Sequence, residues 1–327
     1  MTTLVTGAAG FIGSSVVRGL LAEGRQVRCL IEPGGAHQNL DGLDLEIVYG
    51  DIRSRDDLRA AMKGIRVVYH LAAVYRLWLP DPTLLYEVNV EGSKNLLFAA
   101  MDSAIEKLVF TSSIAAVGKP PPGSLANEST CFNTWSESDH YMRSKWLSER
   151  DALRFAAEGL PLVVVNPAFP FGERDAVPTP TGRYIVKALR GELPGYLAGG
   201  FNVVDVDDVA QGHLLAEKRG RIGQRYILGN HNLSYREFYE ALAEVAGIEP
   251  LRHQIPSPLV WAGAYLVEKI AERSGRPPEL TYKAARCASR QLYFDSSKAI
   301  GELGMPQTDL HKTLAKSVAW FREHGYA

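Results

Sequence analysis

A doubly wound parallel β-sheet with helices on both faces, followed by a smaller and mainly helical cap, is the α/β fold predicted for this chain. Three observations predict it. Short β-branched runs alternate with longer amphipathic patterns as far as Asn166. Those runs are continuously apolar, as strands buried on both faces require. After Asn166 the texture changes: residues 167–182, PAFPFGERDAVPTPTG, are rich in proline and glycine and read as a long excursion instead of another strand–helix unit.

Taken in order, Thr2–Thr6 reads as a strand and Phe11–Ala22 as a helix. Val27–Ile31 and Leu45–Val48 read as strands, then Asp56–Met62 as a helix. Val67–His70 is a strand, Pro82–Met101 a long helix, Lys107–Thr111 a strand, Asp139–Ala157 a long helix and Leu162–Asn166 a strand. A strand–helix pair returns at Val203–Glu217 and a short strand at Arg225–Leu228; the remainder is mainly helical, with a loop at Gly275–Pro278. The expected organisation is a nucleotide-binding domain over 1–166, rejoined by 203–230, with 167–202 and 231–327 forming the cap. Pro258–Ile270 is expected to be a packed amphipathic helix, with a membrane-surface role as the alternative.

The chain has 327 residues, enough for a large core, and 46% of them are hydrophobic against 22% charged, ordinary for a globular protein. Lys+Arg is 36 and Asp+Glu is 37, so the basic excess expected of a nucleic-acid binder is missing. Cys29, Cys131 and Cys287 lie far apart, which argues against a disulfide scaffold or a CxxC metal site and fits a reducing cytoplasm. The histidines show no HxxH or HExxH spacing, so no metal site is expected. No apolar run reaches the length of a transmembrane segment, and MTTLVTGAAG does not read as a signal peptide.

The first strand runs directly into Thr6-Gly7-Ala8-Ala9-Gly10-Phe11-Ile12-Gly13 and a helix. In this GxxGxxG arrangement Gly7 permits the tight turn, Gly10 admits a pyrophosphate close to backbone, and Gly13 lets helix and sheet approach. The start of the helix, at Phe11 and Ile12, offers free N–H groups and a positive dipole end. These features predict a Rossmann-type dinucleotide site. Glu32, after the second strand, is positioned for ribose hydroxyls and would repel a 2′-phosphate, which favours NAD, with NADP the alternative. Asp51 and Ile52 come after the third strand, where adenine lies. Leu71, Ala72 and Ala73 are small or apolar residues after the fourth strand, where backbone passes close to the cofactor.

The pattern YxxxK occurs at Tyr141/Lys145 and at Tyr265/Lys269, and context separates the two. Tyr141 lies about 28 residues after a strand ending Phe110-Thr111-Ser112-Ser113, inside the nucleotide domain; Tyr265 has no such strand and reads as structural. Positions i and i+4 share a helix face, so Lys145 stands beside Tyr141 and can reach the nicotinamide ribose, where its charge, with that of oxidised nicotinamide, is expected to lower the phenol pKa. Tyr141 is then a general acid/base at a carbonyl or carbinol, and a serine hydroxyl at the end of the fifth strand holds the substrate oxygen.

With these residues in hand, the chain resembles the extended short-chain dehydrogenase/reductases, the NAD-dependent epimerase/dehydratase and dihydroflavonol-reductase-like group. The resemblance rests on TGAAGFIG at 6–13, GDI at 50–52, HLAA at 70–73, NVEGS at 89–93, VFTSS at 109–113, YMRSK at 141–145, NP at 166–167 and DVDDVA at 205–210. YRLWLPDP at 75–82 and PTPTGRYIVKALRG at 178–191 are most similar to the hopanoid-associated sugar epimerase subgroup. The resemblance implies Ser113, five residues before Gly118, as the catalytic serine, with Tyr141 and Lys145 as its partners. It implies site ordering by Asn89, a nicotinamide contact at Pro167, and substrate neighbours at Tyr75, Trp78, Asn166 and Phe169. Ile31 stands where NAD-preferring epimerases carry aspartate, and Glu32 where NADP-preferring relatives carry arginine. Gly200-Phe201-Asn202 lacks the arginine that nucleotide-sugar epimerases use for a diphosphate.

Three functions remain open at this level: an NAD(P)-dependent reductase or dehydrogenase of a carbonyl or secondary alcohol; a sugar epimerase with tightly bound NAD; and a non-catalytic NAD(P)-binding regulator. Arg174 and Arg183 are candidates to meet a phosphate or carboxylate of a small-molecule substrate. Leu84, Leu85, Leu96 and Leu97 on one long helix, with Trp146, Leu147 and Leu153 on the other, are expected to form an exposed face that pairs in a homodimer.

Overall fold

The computed structural model describes residues 2–76, 78–278 and 280–327. The elements, in chain order, begin with β1 (Thr2–Thr6), α1 (Phe11–Ala22), β2 (Gln26–Ile31), β3 (Glu46–Tyr49), α2 (Arg55–Ala61), β4 (Val67–His70), α3 (Thr83–Tyr86) and α4 (Ser93–Met101). They continue with β5 (Lys107–Thr111), α5 (His140–Ala157), β6 (Leu162–Pro167), β7 (Phe169–Phe171), α6 (Gly182–Leu189), β8 (Tyr196–Leu197), β9 (Gly200–Asp205) and α7 (Val206–Arg219). The last are β10 (Arg225–Leu228), β11 (His231–Ser234), α8 (Tyr235–Ala246), β12 (Gln254–Ile255), α9 (Ser257–Ser274), α10 (Tyr282–Ala288), β13 (Gln291–Leu292) and α11 (Leu310–Glu323).

The main sheet has the order β3-β2-β1-β4-β5-β6-β10, and every pairing is parallel. The winding reverses between β1 and β4, so a crevice opens there at the carboxyl ends of the strands. Alternate residues go to opposite cores. Val5, Cys29, Tyr69, Val109 and Val163 join the core that includes Val16 and Leu20 of α1 and Leu214 of α7. Leu4, Leu30, Val68, Phe110 and Val164 join the core that includes Leu58 of α2, Leu96 of α4 and Ala152 of α5. Burial on both faces is why these strands read as continuous apolar runs.

The returning strand differs from expectation. β9 joins a second sheet with β7, β11 and β13, while α7 packs on α1 and β10 extends the main sheet. Phe171, Phe201, Phe238 and Phe321 form the aromatic centre of that second region, between α6, α8 and α11.

The predicted helix over 82–101 is interrupted by a π-helical turn at Glu87–Gly92. One extra residue rotates the remainder of the helix by about 100° around its axis. Leu96 and Leu97, beyond the turn, are therefore turned inward; with Leu85 ahead of it they are at most 1% exposed, which removes all three from the expected dimer face. Leu84, Phe98 and Met101 stay exposed, and Trp146, Leu147 and Leu153 are half-buried. Helix α9 also departs from expectation. Only Ala264 and Ala271 are buried, because the helix packs chiefly on α10.

Glu217 of α7 is the tie between α7, β4 and the turn after α1. It accepts two bonds from Arg25, one of 2.8 Å, and one from the Tyr69 hydroxyl. Burial raises its carboxyl pKa, but the bonds to Arg25 and Tyr69 outweigh burial and hold it below the usual range. This stabilisation is present above the ordinary carboxylate pKa and is lost as pH falls through the lower folded value. Arg25→Ala should cost about 3–5 kcal/mol by stranding the buried charge. Urea unfolding at neutral pH checks this, and a loss below about 1 kcal/mol would refute the role of the tie.

Candidate active site

The glycine turn is wound so closely that side chains have no room. Gly7 has φ +69°, and a Cβ there would lie 2.6 Å from the Ala72 nitrogen. A Cβ on Gly13 would lie 2.0 Å from the Gly7 carbonyl oxygen. Gly10 is the N-cap of α1; no side chain caps the helix, and its first turn, at Phe11 and Ile12, carries no acidic residue. The result is a flat backbone surface with a positive helix end, which fits a dinucleotide pyrophosphate. Arg174 borders it in a left-handed conformation, φ 72°, with its guanidinium on carboxylates, Asp207 at 2.5 Å and Glu173 at 2.9 Å.

The segment Leu71-Ala72-Ala73 is fixed from below. The Ala72 nitrogen donates to the Thr6 hydroxyl (3.2 Å), which pairs with His70 Nδ1 (2.8 Å), and His70 Nε2 pairs with Ser93 (2.9 Å). Burial, aided by the charge of Lys145, pushes His70 down to about 3, so the imidazole is neutral. Beyond β2 and β3, Glu32 is exposed and Ile52, 7% exposed, lies directly under Gly92. Arg53 was not anticipated. Its guanidinium binds Asp51 at 2.6 Å, holding that carboxyl low, and approaches Glu32 at 3.6 Å.

Ser113 comes two residues after the end of β5, and its hydroxyl accepts the Ala115 N–H (3.1 Å). Asp139 accepts the Met142 N–H (2.8 Å) and starts α5, which carries Tyr141 and Lys145 one turn apart. Lys145 donates to the Thr111 carbonyl (2.7 Å), and burial pushes it down to about 8, with Glu149 opposing. Tyr141 is pushed up to about 12 by burial, against a hydrogen bond with Ser113 and with a contribution from Asp139. Lys145 by itself does not bring this phenol down. The ammonium is turned to Thr111, and desolvation dominates.

Asn89 sits in the π-helical turn and is 1% exposed. It accepts from the Val74 nitrogen (2.7 Å) and donates to the Val74 carbonyl (3.0 Å) and to Ser144 (3.0 Å), whose hydroxyl donates to the Tyr141 carbonyl (2.8 Å). Asn166, expected beside substrate, is fully buried and is not among the residues lining the cavity beside Ser113 and Tyr141. It donates to the Ser113 carbonyl (2.9 Å) and to Glu149 (2.6 Å), and Glu149 pairs with Arg225 (2.7 Å). Sequence reasoning missed this network; Glu149 at i+4 from Lys145 was its only trace.

Ser113 and Tyr141 open onto a cavity of about 400 Å³ whose other walls include Pro120, Phe169, Tyr184, Tyr235 and Leu292. Tyr75 lies against Tyr141, ring centroids 4.8 Å apart, and the charge of Arg183 acts on it. Trp78 is half-buried and does not line the cavity, and Pro167 is buried at the end of β6. Tyr265 lies outside the site, half-exposed on α9. Among the described residues no cluster of His, Cys, Asp and Glu is arranged to hold a metal.

Residues 3–229 match the model of the NAD dependent epimerase/dehydratase family. The chain is 39% identical to a putative dihydroflavonol 4-reductase of Synechocystis, over 98% of this chain and 95% of the relative. It is 36% identical to sterol demethylase protein B of Methylococcus capsulatus, over 99% of each. Among solved structures, gox2253 superposes with a TM-score of 0.89 at 38% identity over 99% of both chains. The parallel sheet, the glycine turn and these matches have one reading: the chain belongs to the NAD-dependent epimerase/dehydratase family of enzymes.

Proposed function

We propose that this protein is an NAD-dependent reductase or dehydrogenase acting on the carbonyl or secondary alcohol of an apolar, ring-bearing small molecule. The observation that carries this reading is the emergence of Ser113 and Tyr141 on the wall of a cavity made mostly of proline, aromatic and aliphatic side chains. The uncapped, glycine-lined end of α1 suits the pyrophosphate, and Lys145 is the residue that would hold the nicotinamide ribose. NAD supplies the hydride-accepting or hydride-donating carbon when bound. Tyr141, protonated at neutral pH, gives its proton to the carbonyl oxygen as the carbonyl carbon is reduced, and Ser113 donates a hydrogen bond to that oxygen. In the oxidative direction the same two groups act in reverse.

A nucleotide-sugar epimerase fits less well. Phe201 and Asn202, where a diphosphate-binding arginine would stand, are buried in the second core. The Methylococcus relative is named for a sterol, so a fused-ring carbonyl compound is the substrate class we favour. In this reading 1–166 with α7 and β10 form the cofactor domain, β9 and the remainder of 167–327 cap the substrate, and the enzyme works in the cytoplasm. It assembles as a homodimer through Leu84, Phe98, Met101 and the half-buried Trp146.

Tyr141→Phe should lower kcat about 10²–10⁴-fold with NADH affinity unchanged, whereas Tyr265→Phe should leave turnover of a water-soluble ketone intact; the reverse pattern would discard the assignment. Glu32→Arg should move cofactor preference toward NADP(H) by removing a repulsion and adding a phosphate partner beside Arg53. Titration of the unmodified enzyme decides whether that argument holds, since NADPH binding as tight as NADH would contradict it. Light scattering should give a mass near twice 35.9 kDa, and a mass near 35.9 kDa would exclude the dimer.

A further inference from the structure

Helix α9 carries an apolar stripe that nothing among the described residues covers. Leu259, Leu266 and Ile270 are 67%, 63% and 65% exposed. Their spacings of 7 and 4 residues put them on one face of the helix, with Val267 beside them. The opposite face is attached to α10: Trp261 Nε1 donates to the Ser289 hydroxyl (3.0 Å), and Arg286 lies over the Trp261 ring. At its C-terminal end the stripe is followed by Arg273 and Arg276, both exposed, and neither has an ion-pair partner among the described residues. Beyond the next turn, Leu280 and the Ala284 and Cys287 of α10 form part of the wall of the apolar cavity.

We propose that α9 is an interfacial helix that seats the cap on an anionic lipid surface. The aliphatic stripe enters the boundary between headgroups and acyl chains, and Arg273 and Arg276 meet lipid phosphates. Charge complementarity at the cationic end and the continuity of α9 through α10 with the cavity wall select this occupant. An apolar substrate dissolved in the bilayer then reaches the cavity beside α10 without crossing water. This last step rests on the cavity being the substrate site; the docking itself does not. Helix α9 is 18 residues long, and no described helix is long and apolar enough to cross a membrane, so the contact is peripheral.

Co-sedimentation of the full chain with phosphatidylglycerol-rich vesicles and with pure phosphatidylcholine vesicles tests docking independently of catalysis. The expected result is binding to the anionic vesicles that weakens with salt. The double variant Leu266→Glu/Ile270→Glu should lower the bound fraction at least about tenfold, and Arg273→Gln or Arg276→Gln about fivefold each, on anionic vesicles only. All variants should reduce a water-soluble ketone at the unmodified rate, which separates failure of docking from failure of the site. No binding to anionic vesicles overturns the proposal. So does a mass in light scattering that falls by half in the Leu266→Glu/Ile270→Glu variant, because the stripe would then be a contact between copies of the chain.

Discussion

The site depends on a row of buried polar residues at the carboxyl ends of three neighbouring strands. His70 on β4, Thr111 on β5 and Asn166 on β6 lie where the strands would otherwise finish in apolar residues. Each ties the sheet to a helix. His70 binds Ser93 at the start of α4, the Thr111 carbonyl takes Lys145 of α5, and Asn166 takes Glu149, one turn further along α5. His213 Nδ1 faces the Val209 carbonyl (2.7 Å) and so carries the proton, and the Thr111 hydroxyl donates to Nε2 (2.9 Å), which secures α7 as well. Burying such groups is costly unless they are paired. Once paired, they hold the reacting side chains in place more strictly than apolar contacts, which have no direction.

The same burial sets the protonation states. Two histidines near the site are pushed down, His70 to about 3 and His213 to about 4, and remain neutral hydrogen-bonding links. Tyr141 is pushed up to about 12 and Lys145 down to about 8. The phenol therefore keeps its proton at neutral pH, the state that the proposed carbonyl reduction requires. Lys145 is charged below its pKa and loses that charge as pH rises through it. Oxidation, which needs the ionised phenol, gains from alkaline pH through Tyr141.

Much of this was legible in the sequence because it repeats or is punctuated. The strands of the main sheet, the glycine turn and the Tyr141/Lys145 pair arise from continuous apolar runs, glycine spacing and helical i,i+4 geometry. The illegible parts come from contacts distant in the chain. Arg53, which binds Asp51 two residues away, reaches Glu32 only because β2 and β3 are neighbours, and Asn166 and Glu149 meet only because α5 crosses β6. The π-helical turn at Glu87–Gly92 has no periodic signature; it inserts a residue in an otherwise regular pattern, and reading straight through it placed Leu96 and Leu97 on the wrong face. The lowering of the Tyr141 pKa was argued from sequence spacing, which carries no information about which carbonyl the Lys145 ammonium faces.

The central claim is that hydride passes between nicotinamide and a substrate carbon in the cavity bounded by Ser113 and Tyr141, with net change in both. The most direct measurement uses reduced NAD deuterated at C4 with a fused-ring ketone, and tracks the label by mass spectrometry. One deuterium at the new carbinol carbon for each cofactor oxidised, abolished in Tyr141→Phe, is the result this account predicts. A sugar inverted at one carbon with no net oxidation of cofactor and no deuterium gained would contradict it.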